Sequence, residues 1–338
     1  MAIKTDLPMS SCWIVTEGLT GLQNQAIGLA QALGLPYVLK EVKKPKGLWQ
    51  LLSPDRHDFT PPWPDMLISC GRQSGPVSAA IRRASENKTF TVHIQAPFMD
   101  PKQFDVVIAP AHDKLRGENV FVTQGSIHHV STEKLDRAAE HFRPLLASLP
   151  RPLISVLVGG KNRNQNFSTV SAHDFARKLF LAATSTGSGL AITTSRRTGV
   201  ENEAILRQQL SGIPSYFWEG TGENPYLGLL ALADVIIVTS DSVSMISEAC
   251  STGKPVYIYE LPNGRHTRHS QLFGGKRHKQ FYESLIQRGI ARPFAGTTDT
   301  WKNTPLEETL KAAQFVQKRF WEKGGGNNHA DISSRNTS

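Results

Sequence analysis

The stretch "VTSDSVSMISEACSTGKPVYI", residues 238–258, packs hydroxyls and carboxylates against the start of an amphipathic segment. Ser240, Asp241, Ser242 and Ser244 crowd its opening, and Glu248 follows one turn later. Val243, Ile246 and Cys250 recur at helical spacing, so the segment reads as a short helix with that face in the core. Asp241 or Ser242 suits the N-cap, and Gly253 with Pro255 ends the helix. A helix start with free amides and hydroxyls suits an anion. Ser244 and Glu248, four apart, share another face. Glu248 then lies about 6 Å along the axis from that start. A diphosphate on the amides would set an attached ribose near Glu248, and a carboxylate can accept from both hydroxyls of a ribose diol. The same spacing also describes a serine-capped helix with one solvated glutamate.

Other candidates lie just after apolar runs. "VLVGGKNRN" offers Gly159 and Gly160 for close backbone approach, with Lys161 and Arg163 for charge, or simply a glycine turn. "TTSRRTG" offers Ser195, Arg196 and Arg197, a phosphate grip or a basic surface patch. At Trp218, Glu219 and Gly220 the chain turns, and backbone groups there could meet a base edge. In "GRHTRHSQLFGGKRHKQ", residues 264–280, Arg265, His266, Arg268, His269, Lys276, Arg277, His278 and Lys279 read as a basic loop. Such a loop suits phosphate, acidic lipid headgroups or plain solvent; the dense Arg and Lys and the lack of paired Cys argue against zinc.

The elements that must hold these residues alternate. Apolar runs "CWIV", "DMLISC", "TFTVHIQ", "FDVVIAP" and "NVFVTQG" are separated by helical segments in the first half. "PLISVLVGG", "GLAITTS", "SYFWEG", "DVIIVTS" and "PVYIYE" repeat the pattern in the second. That alternation predicts an α/β protein with largely parallel sheets, in two halves joined near a proline-punctuated linker. The expected division is residues 1–148 and 152–304, a late helix over 305–323 packing back toward the first domain, and a polar Gly- and Ser-rich tail over 324–338 expected to be disordered.

Bulk properties narrow the classes. The 338 residues carry a net charge of +9, and the basic excess falls mainly after residue 150. This favours a phosphorylated ligand or an acidic membrane surface. Nucleic acid is not expected as a partner, because aromatics are only 8% and no nucleic-acid module signature occurs. No apolar run approaches the ~20 residues of a membrane span. The N-terminus reads as neither signal nor transit peptide, and three scattered cysteines suggest reduced thiols. A cytoplasmic location, with peripheral contact at the cytosolic membrane face, is the expectation.

The run "LALADVIIVTSDSVSMISEACSTGKPVYIYELP" resembles the nucleotide-sugar site of GT-B glycosyltransferases, and is similar to that of the lipid I N-acetylglucosaminyltransferases. "EGLTGLQNQAIGLAQAL" resembles that family's G-x-T-G-x-H loop and helix, "PDMLISCGRQSGPVSAAIRR" its glycine- and proline-marked segment, and "VHIQ" its H-E-Q-N segment. Nearly the whole chain, residues 10–320, also resembles the plant elongated-mitochondria fission factors and their bacterial relatives. The resemblance implies a GT-B-like fold, two Rossmann-like α/β/α domains facing each other across a cleft. It implies that the first domain binds the acceptor through Gly18, Thr20, Gly21, Gln23, Asn24, Gly71, Arg72 and Gln95. The second would bind the nucleotide sugar, with Glu248 on the ribose and Ser242 to Ser244 on the diphosphate. The loop histidine of the GT-B family falls on Gln23, which cannot take a proton.

Sugar transfer needs a base for the acceptor hydroxyl and electrophilic help for the departing diphosphate. Glu17 and His93 are the candidate bases, although His93, within a strand, also reads as a hydrogen-bonded core histidine. Lys161, Arg163, Arg196, Arg197 and the helix start at Ser242 would meet the leaving charge. No metal and no cofactor are expected beyond the nucleoside-diphosphate sugar as co-substrate. The resemblance leaves three functions in view: a glycosyltransferase with a glycolipid or glycan acceptor, a non-catalytic adaptor, and a sugar-nucleotide epimerase.

Overall fold

The computed structural model describes residues 7–42, 59–162, 165–262 and 268–324. In chain order the strands are β1 (Cys12–Thr16), β2 (Val38–Glu41), β3 (Met66–Cys70), β4 (Phe90–Ile94), β5 (Val106–Pro110), β6 (Val120–Thr123), β7 (Leu153–Val158), β8 (Gly189–Thr194), β9 (Ser215–Phe217), β10 (Val235–Thr239), β11 (Val256–Tyr259) and β12 (Arg292–Pro293). The helices are α1 (Thr20–Ala32), α2 (Ser74–Ala84), α3 (Thr132–Leu146), α4 (Thr169–Thr186), α5 (Val200–Gln209), α6 (Tyr226–Leu232), α7 (Val243–Cys250), α8 (Arg268–Gln287) and α9 (Glu308–Glu322).

They form two compact units, residues 1–129 with 307–338, and residues 130–306. Unit 1 holds a six-stranded sheet in the order β2-β1-β3-β4-β5-β6, unit 2 one in the order β12-β11-β10-β7-β8-β9. Every strand pairing is parallel. Such sheets are covered on both faces, so interior strands are apolar throughout instead of alternating. Thus β3, β4, β7 and β10 are buried at every residue. Each sheet has one reversal of strand order, between β1 and β3 in unit 1 and between β7 and β10 in unit 2. In open parallel sheets a crevice opens there at the strands' C-terminal ends.

The units divide where the side chains pack. Helix α9 belongs to unit 1. Its Ala312, Ala313, Val316 and Phe320 share a core with Leu29 and Leu33, and the Phe320 ring meets Phe90 edge-on at 5.4 Å. Glu308 anchors its start by accepting the Gln124 amide at 2.7 Å. The expected division near 148–152 moves to residue 129. Phe142 and Leu146 of α3 lie against Leu229 and Leu232 of α6, so α3 belongs to unit 2.

Three elements escape the sequence pattern. Strand β2 is short with exposed Val38 and Leu39, so it shows no buried run. Strand β12 has two residues. The basic run read as a loop is helical from Arg268, the start of α8. Arg265 and His266 lie outside the described residues, as do the side chains of Arg268, His269, Lys276 and Arg277, Arg163, and the tail from 325. Among the described residues no helix is long and apolar enough to cross a membrane.

Candidate functional site

At the reversal in unit 2, three strand ends are tied together by Asp241. The Gly160 amide donates to Asp241 Oδ2 at 3.0 Å, and the Thr239 hydroxyl donates to Oδ1 at 2.7 Å. The Arg197 guanidinium meets Oδ2 at 2.9 Å, with the carboxylate wholly buried. The Asn162 side-chain amide donates to the Asp241 carbonyl at 2.9 Å, and the Gly159 amide to Thr239 Oγ1 at 2.8 Å. The approach is so close that a Cβ on Gly159 would fall on the Asp241 carboxylate, and one on Gly160 on the Arg197 carbonyl. The ends of β7, β8 and β10 are therefore one hydrogen-bonded piece.

This network changes several expected roles. Asp241 and Arg197, expected on the ligand, neutralise each other and brace the loops. Ser240 is a strut too, accepting from the Gln165 side chain at 2.6 Å and from the Leu261 amide at 2.9 Å. Ser195 accepts the Arg197 amide at 3.2 Å and lies 3.3 Å from the Thr198 hydroxyl, so it shapes its own turn. Ser242, not Asp241, caps α7, its hydroxyl accepting from the Met245 amide at 3.3 Å. Lys161 and Arg196 are exposed and make no ion pair among the described residues. Ser244 sits half-buried in the first turn of α7.

Glu248 lies one turn into α7, but it is not the solvated glutamate that the spacing also allowed. It is 6% exposed, and its Oε2 accepts from the Tyr226 hydroxyl at 2.5 Å. Burial pushes its carboxyl up to about 7, while the Tyr226 hydrogen bond opposes the rise. Trp218 donates its backbone amide to the Ile192 carbonyl and its indole N–H to the Thr221 carbonyl, leaving the ring half-buried. Glu219 is exposed and meets Arg207 at 3.1 Å, and Gly220 takes φ +75° in the same turn.

At the reversal in unit 1, Glu17 follows β1 and accepts the Gln73 amide, just before α2, at 2.7 Å. Gly71, with φ +107°, makes room for it: a Cβ there would sit 2.7 Å from Glu17 Oε1. Glu17 Oε2 has no hydrogen-bond partner among the described residues. Arg72 lies 4.2 Å from the centroid of the exposed Phe98 ring. Gln95 follows β4 with φ +83°, a left-handed conformation that is strained for a non-glycine residue. Gly18, Thr20, Gly21, Gln23 and Asn24 follow β1 into the first turns of α1, so this edge gathers them with Glu17, Gly71, Arg72 and Gln95.

His93 does not join them as a base. It is buried mid-strand in β4, its Nδ1 lies 2.8 Å from Ser69 Oγ, and its ring stacks on Phe104 at 4.8 Å. Burial lowers its pKa to about 4, which fits the reading of His93 as a neutral core histidine. Sequence reasoning missed Tyr226, Thr239, Asn162 and Thr198. Tyr226 is 22 residues from Glu248 and on another helix, so no local spacing marks the pair. Among the described residues no group of three or more His, Cys, Asp or Glu is placed to hold a metal ion.

Comparison with known proteins agrees on the fold and family. The chain is 28% identical to the Mitochondrial fission protein ELM1 of Arabidopsis thaliana, covering 92% of this chain and 91% of that protein. It is 27% identical to an uncharacterized protein of Rickettsia prowazekii, covering 90% and 97%. Among solved structures, the UDP-GlcNAc 2-epimerase of Methanocaldococcus jannaschii, in complex with UDP-GlcNAc and UDP, superposes with a TM-score of 0.51 at 12% identity, covering 93% of this chain and 100% of that one. At that identity the likeness is one of fold: two α/β units, GT-B-like in architecture. Residues 20–320 match the family model described as Mitochondrial fission ELM1, and the chain belongs to that family.

Proposed function

We propose that unit 2 binds a nucleoside-diphosphate sugar and that the protein transfers the sugar to a hydroxyl of a glycan or glycolipid acceptor. One observation carries the reading. The order reversal between β7 and β10 gathers the glycine turn at Gly159–Gly160, the exposed cations Lys161 and Arg196, and the Ser242-capped start of α7, with Glu248 one turn further in. The amides at the start of α7 and the two cations suit the diphosphate, and a carboxylate suits the ribose diol. In the transfer, the acceptor oxygen forms a bond to the anomeric carbon as the bond from that carbon to the diphosphate breaks. The acceptor proton goes to a base, for which Glu17 is the candidate, and the diphosphate leaves into the field of Lys161, Arg196 and the helix start. A glycolipid acceptor would bring the protein to an acidic membrane surface.

Calorimetric titration with UDP, GDP, CMP, ADP and dTDP tests the reading. One nucleotide is expected to bind saturably, and Glu248→Ala to weaken it about tenfold, the loss of a charged hydrogen bond. Absence of binding by all five would end the enzyme reading.

The second reading is a non-catalytic adaptor that keeps the fold, and one observation favours it. Asp241 already occupies the Gly160 amide and the Arg197 guanidinium, two groups a phosphate would otherwise use. An adaptor of this kind would bind no nucleotide in the same titration.

A further inference from the structure

Tyr226 opens α6, and Glu248 lies in the middle of α7. Glu248 Oε2 is held by the Tyr226 hydroxyl, while Oε1 has no hydrogen-bond partner among the described residues. Around α7, four other titratable groups are engaged elsewhere, while Cys250 of α7 is a buried free thiol. Tyr282 of α8 donates to Glu260, and Lys254 donates to the Ala231 and Ala233 carbonyls at the end of α6. On β11, Tyr257 is bonded to the Asp299 backbone and Tyr259 donates to Asp174. Strand β10 carries no titratable side chain. Glu248 is thus shaped by its burial, which raises its pKa, and by the Tyr226 hydrogen bond, which lowers it.

We infer that Tyr226 is a positioning residue: its phenol fixes Glu248 Oε2 so that Oε1 is presented to the vicinal diol of a ribose, and nucleotide binding therefore releases a proton from Glu248. This rests on the nucleotide-binding reading of unit 2 and adds a residue and a proton to it. With the carboxyl near 7, a large share of the free protein carries the proton at neutral pH. Diol hydroxyls donate to a carboxylate, so a bound ribose favours the ionised form and draws the proton off. Affinity must then rise as pH climbs through 7. The phenol also stabilises the ionised carboxylate, so removing it moves the titration upward.

The test is UDP titration of the full chain at pH 6, 7 and 8.5, in buffers of different ionisation enthalpy, for wild type and Tyr226→Phe. Wild type is expected to release a proton on binding and to bind more tightly as pH rises. Tyr226→Phe is expected to bind about tenfold more weakly at pH 7 and to recover at pH 8.5. 2′,3′-Dideoxy-UDP, lacking the diol, is expected to bind both proteins weakly and without the pH dependence. A ligand-free measurement stands beside it: carboxyl ¹³C titration, with the Glu248 signal assigned from Glu248→Gln, is expected to shift upward in Tyr226→Phe. A folded Tyr226→Phe protein whose pH profile matches wild type overturns the inference, as does an unmoved ¹³C midpoint. A wild type that binds no nucleotide overturns the reading beneath it, and the ¹³C result then still decides whether Tyr226 governs Glu248.

Discussion

The two order reversals use one device and finish it differently. In each, a carboxylate from one strand end accepts a backbone amide from the end of the strand beside it. Glu17 takes the Gln73 amide across β1 and β3, and Asp241 takes the Gly160 amide across β10 and β7. Asp241 is then buried and saturated by Thr239 and Arg197. Glu17 stays half-buried with one oxygen uncommitted. A buried carboxylate with both oxygens engaged is placed to brace. One with a free oxygen can do chemistry, while bracing less. In unit 2 the carboxylate with an oxygen left uncommitted among the described residues is Glu248, one helical turn away.

The contrast can be broken first at Asp241. Asp241→Ala strands the Gly160 amide and the Arg197 charge, and is expected to cost about 3 kcal/mol in denaturant unfolding. That is the low end for breaking a buried pair, because Arg197 is partly exposed. Next, Gly160→Ala drives a Cβ onto the Arg197 carbonyl; about 2 kcal/mol of overpacking strain is expected by the same measurement, together with loss of nucleotide binding.

The units should also respond to pH with opposite sign. His93 has a lowered pKa, so its contribution to unit 1 is whole above the ordinary histidine value and is lost as pH falls toward 4. Glu248 has a raised pKa, so its contribution to unit 2 is whole below the ordinary carboxylate value and is lost as pH rises toward 7. Hydrogen exchange followed by unit is expected to show His93→Gln flattening the acid limb in unit 1 and Glu248→Gln flattening the neutral limb in unit 2. The smallest effect is expected at Glu17. Glu17→Ala gives up one hydrogen bond on a half-exposed group, about 1 kcal/mol or less in the unfolding assay.

Much of the architecture was legible in the sequence, because parallel interior strands must be apolar throughout. The runs "DMLISC", "PLISVLVGG" and "DVIIVTS" contain β3, β7 and β10. The Ser242 cap and the core face of α7 were legible from local pattern as well. Roles that depend on distant partners were not. Nothing near Asp241 announces that Arg197 and Gly160 will consume its carboxylate, and nothing near Glu248 announces Tyr226. The run read as a basic loop is helical from Arg268, because density of charge marks exposure and not the absence of a helix.

The proposed function requires the β7–β10 reversal of unit 2 to hold a nucleoside diphosphate. Hydrogen exchange resolved to short peptides, with and without saturating UDP, tests it most directly. Slowed exchange is expected at Gly159–Lys161, at Ser195–Arg197 and across residues 240–248, with residues 17–24 and 71–73 of unit 1 unchanged. Unchanged exchange at all three segments of unit 2, or protection confined to unit 1, would contradict it.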